Sequence, residues 1–355
     1  MDKKVGIILV NYKDYAAKFL RDCRDSLRLQ SYAPENTSIY IVDNASTPES
    51  LKYLQVNYPE AVVLPRVDGN YAAANNLGFK QAISDGCEYL VTVNMDTEMA
   101  TDWLLELVEA LNSNPEAGIA QSKILLYPLS AEEREKPRIN SLGNIIHFLG
   151  FGFTSNYGEP DREITGYPKI GGYASGCSFI IRRAVFEKIG GYNEEFYMYH
   201  DDIELSLKTK LAGHDIILAP RSVIFHKYEF SRSLNMLYYM ERNRYLLLLS
   251  FYPIGLLILV GLPGILMDIG MLFYSFVKGW FVTEMKIYIY FAHYRNYVKI
   301  QKTRQALKKI KIIPFSKLAR DFSGIIEFKE IANPLLSYIV NPLFNLYWSL
   351  VKKIV

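Results

Sequence analysis

Two clusters of carboxylates and one histidine are the residues of this chain best placed to do chemistry. In residues 91–99, V-T-V-N-M-D-T-E-M, β-forming residues stop at Asn94, and Asp96 and Glu98 follow. Carboxylates just past the end of a buried strand can hold a hard divalent cation, Mg²⁺ or Mn²⁺, at a surface crevice. The same residues also suit a helix start, with Asp96 or Thr97 as N-cap and Glu98 in the first turn before Trp103. In residues 194–213, Asp201, Asp202 and Glu204 follow an aromatic run, Phe196-Tyr197-Met198-Tyr199. Capping explains acids at a helix N-terminus, but so many in one turn exceed what a cap requires. A carboxylate crowded by others suits a general base, its pKa raised by like charge. His226 closes the strand-like stretch 216–225 and reads either as a structural residue or as a ligand.

The elements that must carry these residues follow from apolar periodicity. Residues 4–11 form a continuous apolar run ending in Asn11-Tyr12-Lys13, and 16–29 has helical spacing at Phe19, Leu20, Cys23 and Leu27. A second strand, 38–42, stops at Asp43-Asn44, and 48–57 reads as a helix. A short strand at 61–64 leads through Asp68-Gly69-Asn70 to an Ala-rich helix at 71–84, then to a fourth strand at 89–93. Strand and helix alternating four times predict an α/β protein with a doubly wound parallel sheet. Asn11, Asp43, Asp68 and Asp96 would then meet beyond the strands' C-terminal ends, where such sheets bind ligands. From Gln121 to Gly172 the pattern becomes irregular, predicting loops and short antiparallel strands on an acceptor side. A Ser-Gly turn within 172–183 feeds a further strand and a helix at 184–189.

Composition narrows the function classes. Half of the 355 residues are apolar, which argues for a sizeable core. Cys23, Cys87 and Cys177 lack metal-ligand or CxxC spacing, so reduced thiols are expected rather than a disulfide framework or zinc site. The first residues run straight into a strand and leave no room for a signal peptide, which predicts a cytoplasmic start. No GxGxxG follows the first strand and no GxxxxGK[ST] occurs, which disfavours dinucleotide and P-loop sites. The net charge of +3 hides an asymmetry: residues 227–355 carry 18 Lys and Arg against 7 Asp and Glu, and residues 1–226 carry 22 against 30. The basic part is also the more apolar, which points to anionic membrane and not to nucleic acid.

In order along the chain, I-L-V-N-Y, I-V-D-N-A-S, Y-A-A-A-N-N-L-G-F, V-N-M-D-T-E-M and S-G-C-S-F-I-I-R-R with H-D-D-I-E-L and P-R-S-V-I-F-H resemble the inverting glycosyltransferases of family 2. The likeness spans roughly residues 4–250 and is strongest to rhamnosyltransferase-like members that build O-antigen and other surface polysaccharides. It implies the GT-A fold, a Rossmann-like, mostly parallel sheet, over residues 1–235, followed by a helical membrane-associated region, 236–355. By the same resemblance Asn11 and Tyr12 line the nucleotide pocket, Asp43 accepts from a pyrimidine ring, and Asn75 lies near the sugar-nucleotide. Asp96 takes the last place of the metal-binding D-x-D motif, with Asn94 in the first. Asp202 matches the catalytic base, Asp201 and Glu204 support it on the acceptor side, and His226 completes the metal shell.

Three departures qualify the match. Asn94 brings an amide oxygen but no charge. Asn70 stands where the family has Gly, in a turn that Asn can also adopt. Gln301–Arg304 gives Q-x-x-R without the following Trp of processive members, so a single addition is expected. The implied partners are a nucleotide-sugar, UDP- or dTDP-linked, a divalent cation, and a polyprenyl-diphosphate-linked glycan at the cytoplasmic face of the membrane. Two other functions fit less of the sequence. A nucleotidyltransferase would need a Gly-rich phosphate loop that the chain lacks, and a catalytically silent GT-A scaffold has Asn94 as its support.

The tail carries the membrane expectation. Residues 245–267 are uncharged and long enough to span a bilayer, yet Pro253, Gly255, Gly261, Pro263 and Gly264 break them into pieces of about ten residues, so that a kinked or re-entrant element, or helices in the plane of the membrane, suit them at least as well as a span. Asp268 ends this run, and residues 294–312 are basic. A buried helical core or an interface between copies in a homo-oligomer would suit the same apolarity.

Overall fold

Strand β1 (Val5–Asn11) is buried on both faces, as its Val-Gly-Ile-Ile-Leu-Val run requires, and the first of two compact units is built outward from it. The computed structural model describes residues 3–227, 234–327 and 334–355. In the first unit, β1 is followed by α1 (Tyr15–Arg28), β2 (Thr37–Asn44), α2 (Pro48–Asn57), β3 (Val62–Arg66), α3 (Tyr71–Ser84) and β4 (Tyr89–Val93). Next come β5 (Thr97–Met99), α4 (Trp103–Ser113), β6 (Ala117–Leu126), α5 (Ala131–Glu135) and β7 (Ile139–Ser141). Past the short strands β8 (Asn144–Ile146) and β9 (Gly152–Thr154), which fall mostly in the second unit, β10 (Ser178–Arg182), α6 (Arg183–Ile189), α7 (Asp201–Leu211) and β11 (Asp215–His226) complete the first.

The strand order is β3-β2-β1-β4-β10-β6-β11-β5, with β7 paired to β6. Pairs β1–β2, β1–β4, β2–β3 and β6–β11 are parallel, so the expected mostly parallel sheet is present. Strand β10 enters antiparallel between β4 and β6, and β5 runs antiparallel along β11. In register, Asn11 lies opposite Asp43 at the C-terminal ends of β1 and β2. Helix α3 closes on β1 through glycines: a Cβ on Gly78 would stand 2.7 Å from Ile8, and one on Gly6 2.6 Å from Ala82.

Several expectations change. Residues 117–126 form β6, a long buried strand, where irregular structure was expected from Gln121 onward. Its polar residues are satisfied sideways: Ser122 bonds Ser178, Ser222 and the Trp103 indole, and Gln121 accepts from the Ser175 amide at 2.7 Å. Glu98 is not a helix-start acid. It lies on β5, and α4 begins only at Trp103, after Asp102. Asn70 does not take the left-handed turn: Gly69 does, at φ +71°, while Asn70 is extended and caps α3 by accepting from the Ala73 amide at 3.0 Å.

The second unit comprises Ile145–Phe153, Lys210–Gly213 and Phe230–Val355. Its helices are α8 (Leu234–Phe251), α9 (Ile254–Val277), α10 (Phe281–Ala292), α11 (Tyr294–Ile310), α12 (Phe315–Ala319) and α13 (Asn341–Val351). Phe148 stacks on Trp348 with ring centroids 5.0 Å apart, and the Trp348 indole donates to the Phe322 carbonyl at 2.8 Å. Arg244, fully buried on α8, pairs with Glu241 at 2.9 Å and with Asp268 of α9 at 3.0 Å.

Helix α9 is one continuous helix of 24 residues and not pieces of ten. Among the described residues it is the one helix long and apolar enough to cross a membrane. It passes through Pro263, whose missing N–H leaves the Leu259 carbonyl without its helical donor. The Tyr347 hydroxyl of α13 donates to that carbonyl instead.

Candidate active site

The predicted residues of the first unit gather beyond the C-terminal ends of β1, β2, β4 and β11, and they divide into a tied floor and two reactive carboxylate sites. The floor is centred on Asn11 and Asp43, both fully buried. Asn11 donates to Asp43 Oδ1 at 2.7 Å and accepts from the Ala16 amide at 2.8 Å, while Ser50 donates to Asp43 Oδ2 at 2.6 Å. Asn75 is also fully buried: its amide donates to the Tyr71 carbonyl at 3.0 Å and its oxygen accepts from Thr92 at 3.1 Å. Asn11 and Asn75 therefore sit beneath the crevice and set its shape. Tyr12, 42% exposed, is the floor's outward-facing aromatic ring. Asp68, expected beside them, is instead an exposed partner of Arg66.

The first reactive site is the Asp96 turn. The Lys227 amide donates to the Asp96 carbonyl at 2.8 Å, which binds this turn to the end of β11. Asp96 Oδ2 lies 3.2 Å from His226 Nε2, and His226 Nδ1 bonds Asn140 Oδ1 at 3.0 Å. Donation from Nδ1 to Asn140 fixes the ring so that Nε2 faces Asp96, the arrangement that orients metal-binding histidines, and Nε2 becomes a ligand once a cation displaces its proton. Asp96 Oδ1 is buried and has no hydrogen-bond partner among the described residues. A buried carboxylate oxygen left open beside an oriented imidazole suits a divalent cation that takes its remaining ligands from water and a diphosphate. Among the described residues no group of three or more His, Cys, Asp or Glu converges on one ion. The protein itself therefore supplies a sparse donor set. Asn94 does not join it directly: its Oδ1 accepts from the Tyr71 hydroxyl at 3.1 Å. Burial opposes a charged imidazole, but Cys177 and Asp96 outweigh it, so His226 holds its proton above the usual range.

The second site is the start of α7. Tyr197, Tyr199 and His200 all have positive φ, between +59° and +65°, immediately before Asp201. Non-glycine residues rarely adopt that region, and strain of this kind collects where a side chain must be aimed. Glu204 pairs with Lys208 at 2.9 Å, accepts from the Asn193 amide at 3.3 Å, and is almost wholly buried. It anchors the helix start and does not face the crevice. Asp201 is buried as well. Desolvation first, then the charges of Asp202 and Glu204, raise it well above the usual carboxylate value and favour its neutral form. Asp202 is less enclosed. Burial pushes it up to about 6, against the Gly176 and Ile203 amides that stabilise its ionised form at 3.3 and 2.9 Å. Burial, not the like charge expected from the sequence, is thus the principal cause for Asp202.

One turn links the sites. Gly176 N–H donates to Asp202, and the next residue, Cys177, accepts at its carbonyl from the Asn94 amide at 2.9 Å. The Ser-Gly turn noticed in the sequence is what sets the two carboxylates relative to each other. Beside His226, at the ends of β6 and β11, a cavity of about 620 Å³ has Tyr127, Tyr157, Lys136, Arg138 and Lys227 in its walls. Sequence reasoning missed Asn140, Tyr71 and Cys177 as members of the site. Tyr71 lay inside a quoted motif, whereas Asn140 carried no signal.

The sequence profile of "Glycosyl transferase family 2" matches residues 6–190. The O-antigen biosynthesis protein RfbC of Myxococcus xanthus is 29% identical over 238 residues, 64% of this chain and 18% of RfbC. An N-acetylglucosaminyl-diphospho-decaprenol L-rhamnosyltransferase of Mycobacterium tuberculosis (strain CDC 1551 / Oshkosh) is 24% identical over 224 residues, 57% of this chain and 69% of that protein. The chain thus spans less than a fifth of the length of RfbC. Among solved structures, GalNAc-T7 with UDP, GalNAc and Mn²⁺ superposes with a TM-score of 0.53 at 14% identity, over 71% of this chain and 48% of that one. The superposition bears out the GT-A fold expected from the sequence. Its first unit has the fold, the motifs and the profile of one family: the chain belongs to glycosyltransferase family 2.

Proposed function

We propose that the chain transfers one sugar from a pyrimidine nucleotide-sugar, UDP- or dTDP-linked and with dTDP-rhamnose a candidate, to a hydroxyl of a polyprenyl-diphosphate-linked glycan. The reaction inverts the anomeric centre and serves surface-polysaccharide synthesis at the cytoplasmic face of the membrane. The observation that carries this reading is the pairing of Asp202, a carboxylate raised to about 6, with the open oxygen of Asp96 across one shared turn.

The chain's own groups account for the chemistry. An acceptor hydroxyl is a weak nucleophile until its proton leaves, and Asp202 is ionised at neutral pH yet basic enough to take it. Asp201, pushed toward its neutral form by burial, lessens the negative charge beside that carboxylate. Attack from the face opposite the leaving diphosphate inverts the sugar carbon. Asp96 and His226 would hold the divalent cation, which when bound offsets the negative charge on the departing diphosphate. Lys136, Arg138 and Lys227, in the cavity wall beside His226, add positive potential there.

The test is a screen of UDP- and dTDP-sugars with Mn²⁺ or Mg²⁺, following metal-dependent binding by calorimetry and donor hydrolysis by nucleotide release. One donor should bind with metal and be slowly hydrolysed. Binding without any turnover, even with a lipid-linked acceptor, would favour the silent scaffold instead.

A further inference from the structure

Helix α9 shows two different faces. Ile254, Ile258, Leu262, Ile265, Ile269 and Phe273 recur every three or four residues, each more than half exposed, along a helix about 36 Å long. Leu256, Val260, Pro263 and Ser275, on the other side, are buried. Helix α13 repeats the division: Leu343, Leu346 and Leu350 are more than half exposed, while Trp348 and Val351 are buried. Apolar stripes of this extent are foreign to the surface of a soluble monomer.

We propose that the second unit lies in the plane of an anionic membrane, with these two stripes in the headgroup–acyl boundary, and that α9 does not span the bilayer. This inference rests on the membrane-associated reading above and decides the form it takes. Three observations within the second unit carry it.

First, Arg304 of α11 donates to the carbonyls of Leu249 and Tyr252 at 2.6 and 3.0 Å, just before α9 begins. A spanning α9 would carry everything after it to the far side. To return, the chain has only α10, 12 residues or about 18 Å, and α11, which is studded with cations. Neither can cross a hydrocarbon layer of about 30 Å. Second, Asp268 sits past the middle of α9 in an ion pair with Arg244, which also holds Glu241. Spanning would place that cluster near the bilayer centre, where ionised side chains are least tolerated. Third, α11 carries Arg295, Lys299, Lys302, Lys308 and Lys309 and no acid, which complements anionic headgroups.

The experiment uses the full chain with nitroxide labels at Ile254→Cys, Ile265→Cys and Phe276→Cys, bound to vesicles of phosphatidylglycerol and phosphatidylcholine. Electron paramagnetic resonance then reads the depth of each label. Equal, shallow depth at all three sites is expected. A label deepest at Ile265→Cys and shallow at both ends would overturn the in-plane placement while sparing membrane association. Failure to bind vesicles at all, with a stable dimer in solution, would overturn both and assign the stripes to a second copy of the chain. Lys308→Ala with Lys309→Ala should weaken binding to anionic vesicles about tenfold or more and leave binding to pure phosphatidylcholine unchanged.

Discussion

The turn at Asp96 and the start of α7 are both acidic, both buried, and both anchored to the Ser175-Gly176-Cys177 segment, yet they are prepared for opposite tasks. At Asp96 a single carboxylate meets an imidazole and keeps one oxygen open, so the negative charge is conserved for a cation. At α7 three carboxylates are packed together and burial pushes each of them toward the neutral form, so the site is built around a proton. Within that cluster the partners decide the role. Lys208 ties down Glu204, burial and the neighbouring carboxylates push Asp201 toward its neutral form, and the amides of Gly176 and Ile203 hold Asp202 back against the same burial. Sequence proximity to a catalytic carboxylate therefore says little about function; the surrounding donors settle it.

The sharpest break of this comparison is Asp202→Asn. It should lower turnover by about two to four orders of magnitude and leave nucleotide-sugar affinity, measured calorimetrically, within error of the parent. Retained turnover would take Asp202 out of the base role. Glu204→Gln acts on stability instead. It leaves Lys208 buried without its partner and should cost about 3 kcal/mol in urea unfolding, while the remaining folded enzyme keeps the parent's pH profile. Asp96→Ala should reduce kcat/KM and Mn²⁺ affinity by about ten- to a hundredfold, again without moving that profile.

A smaller effect is the pH dependence itself. Because Asp202 must be ionised to act, kcat/KM should fall about tenfold per pH unit below about 6. The linked stability has the opposite sense. A folded-state value raised above the unfolded one, about 3.9, contributes stability that is fully present below that value and is lost as pH rises through about 6. Denaturation at pH 5 and 7.5 checks the sign. Smallest is Asp201→Asn: burial already pushes this side chain toward its neutral form, so a neutral isostere should change turnover less than about threefold, with a modest gain in thermal stability at neutral pH. A loss as large as that of Asp202→Asn would mean that the two aspartates act as one unit.

Much of this was legible in the residues, unevenly. Strands such as β1 and β4, apolar on both faces, announced themselves, and so did the carboxylates at their ends. Strand β6 did not, because Gln121, Ser122 and Lys123 interrupt its apolar pattern. They are buried only because Ser175, Ser178, Trp103 and Asp161, distant in sequence, receive them. Glu98 looked like a helix-start acid because local rules cannot see an edge strand whose partner lies over a hundred residues away. The aspartate of the metal site was readable from spacing, whereas Asn140, which fixes the histidine's orientation, reaches it through a fold-level contact with no local trace.

Pro263 has a further consequence, one for the order of assembly. The proline strips a donor from α9 and so marks one carbonyl, that of Leu259, as vacant, and the mark exists only once α9 has become helical. The Tyr347 hydroxyl reads that mark and fixes the register in which α13 settles. Helix α13 therefore has an address that α9 writes on folding, and docking before then, or one turn out of place, would leave that carbonyl without its side-chain donor.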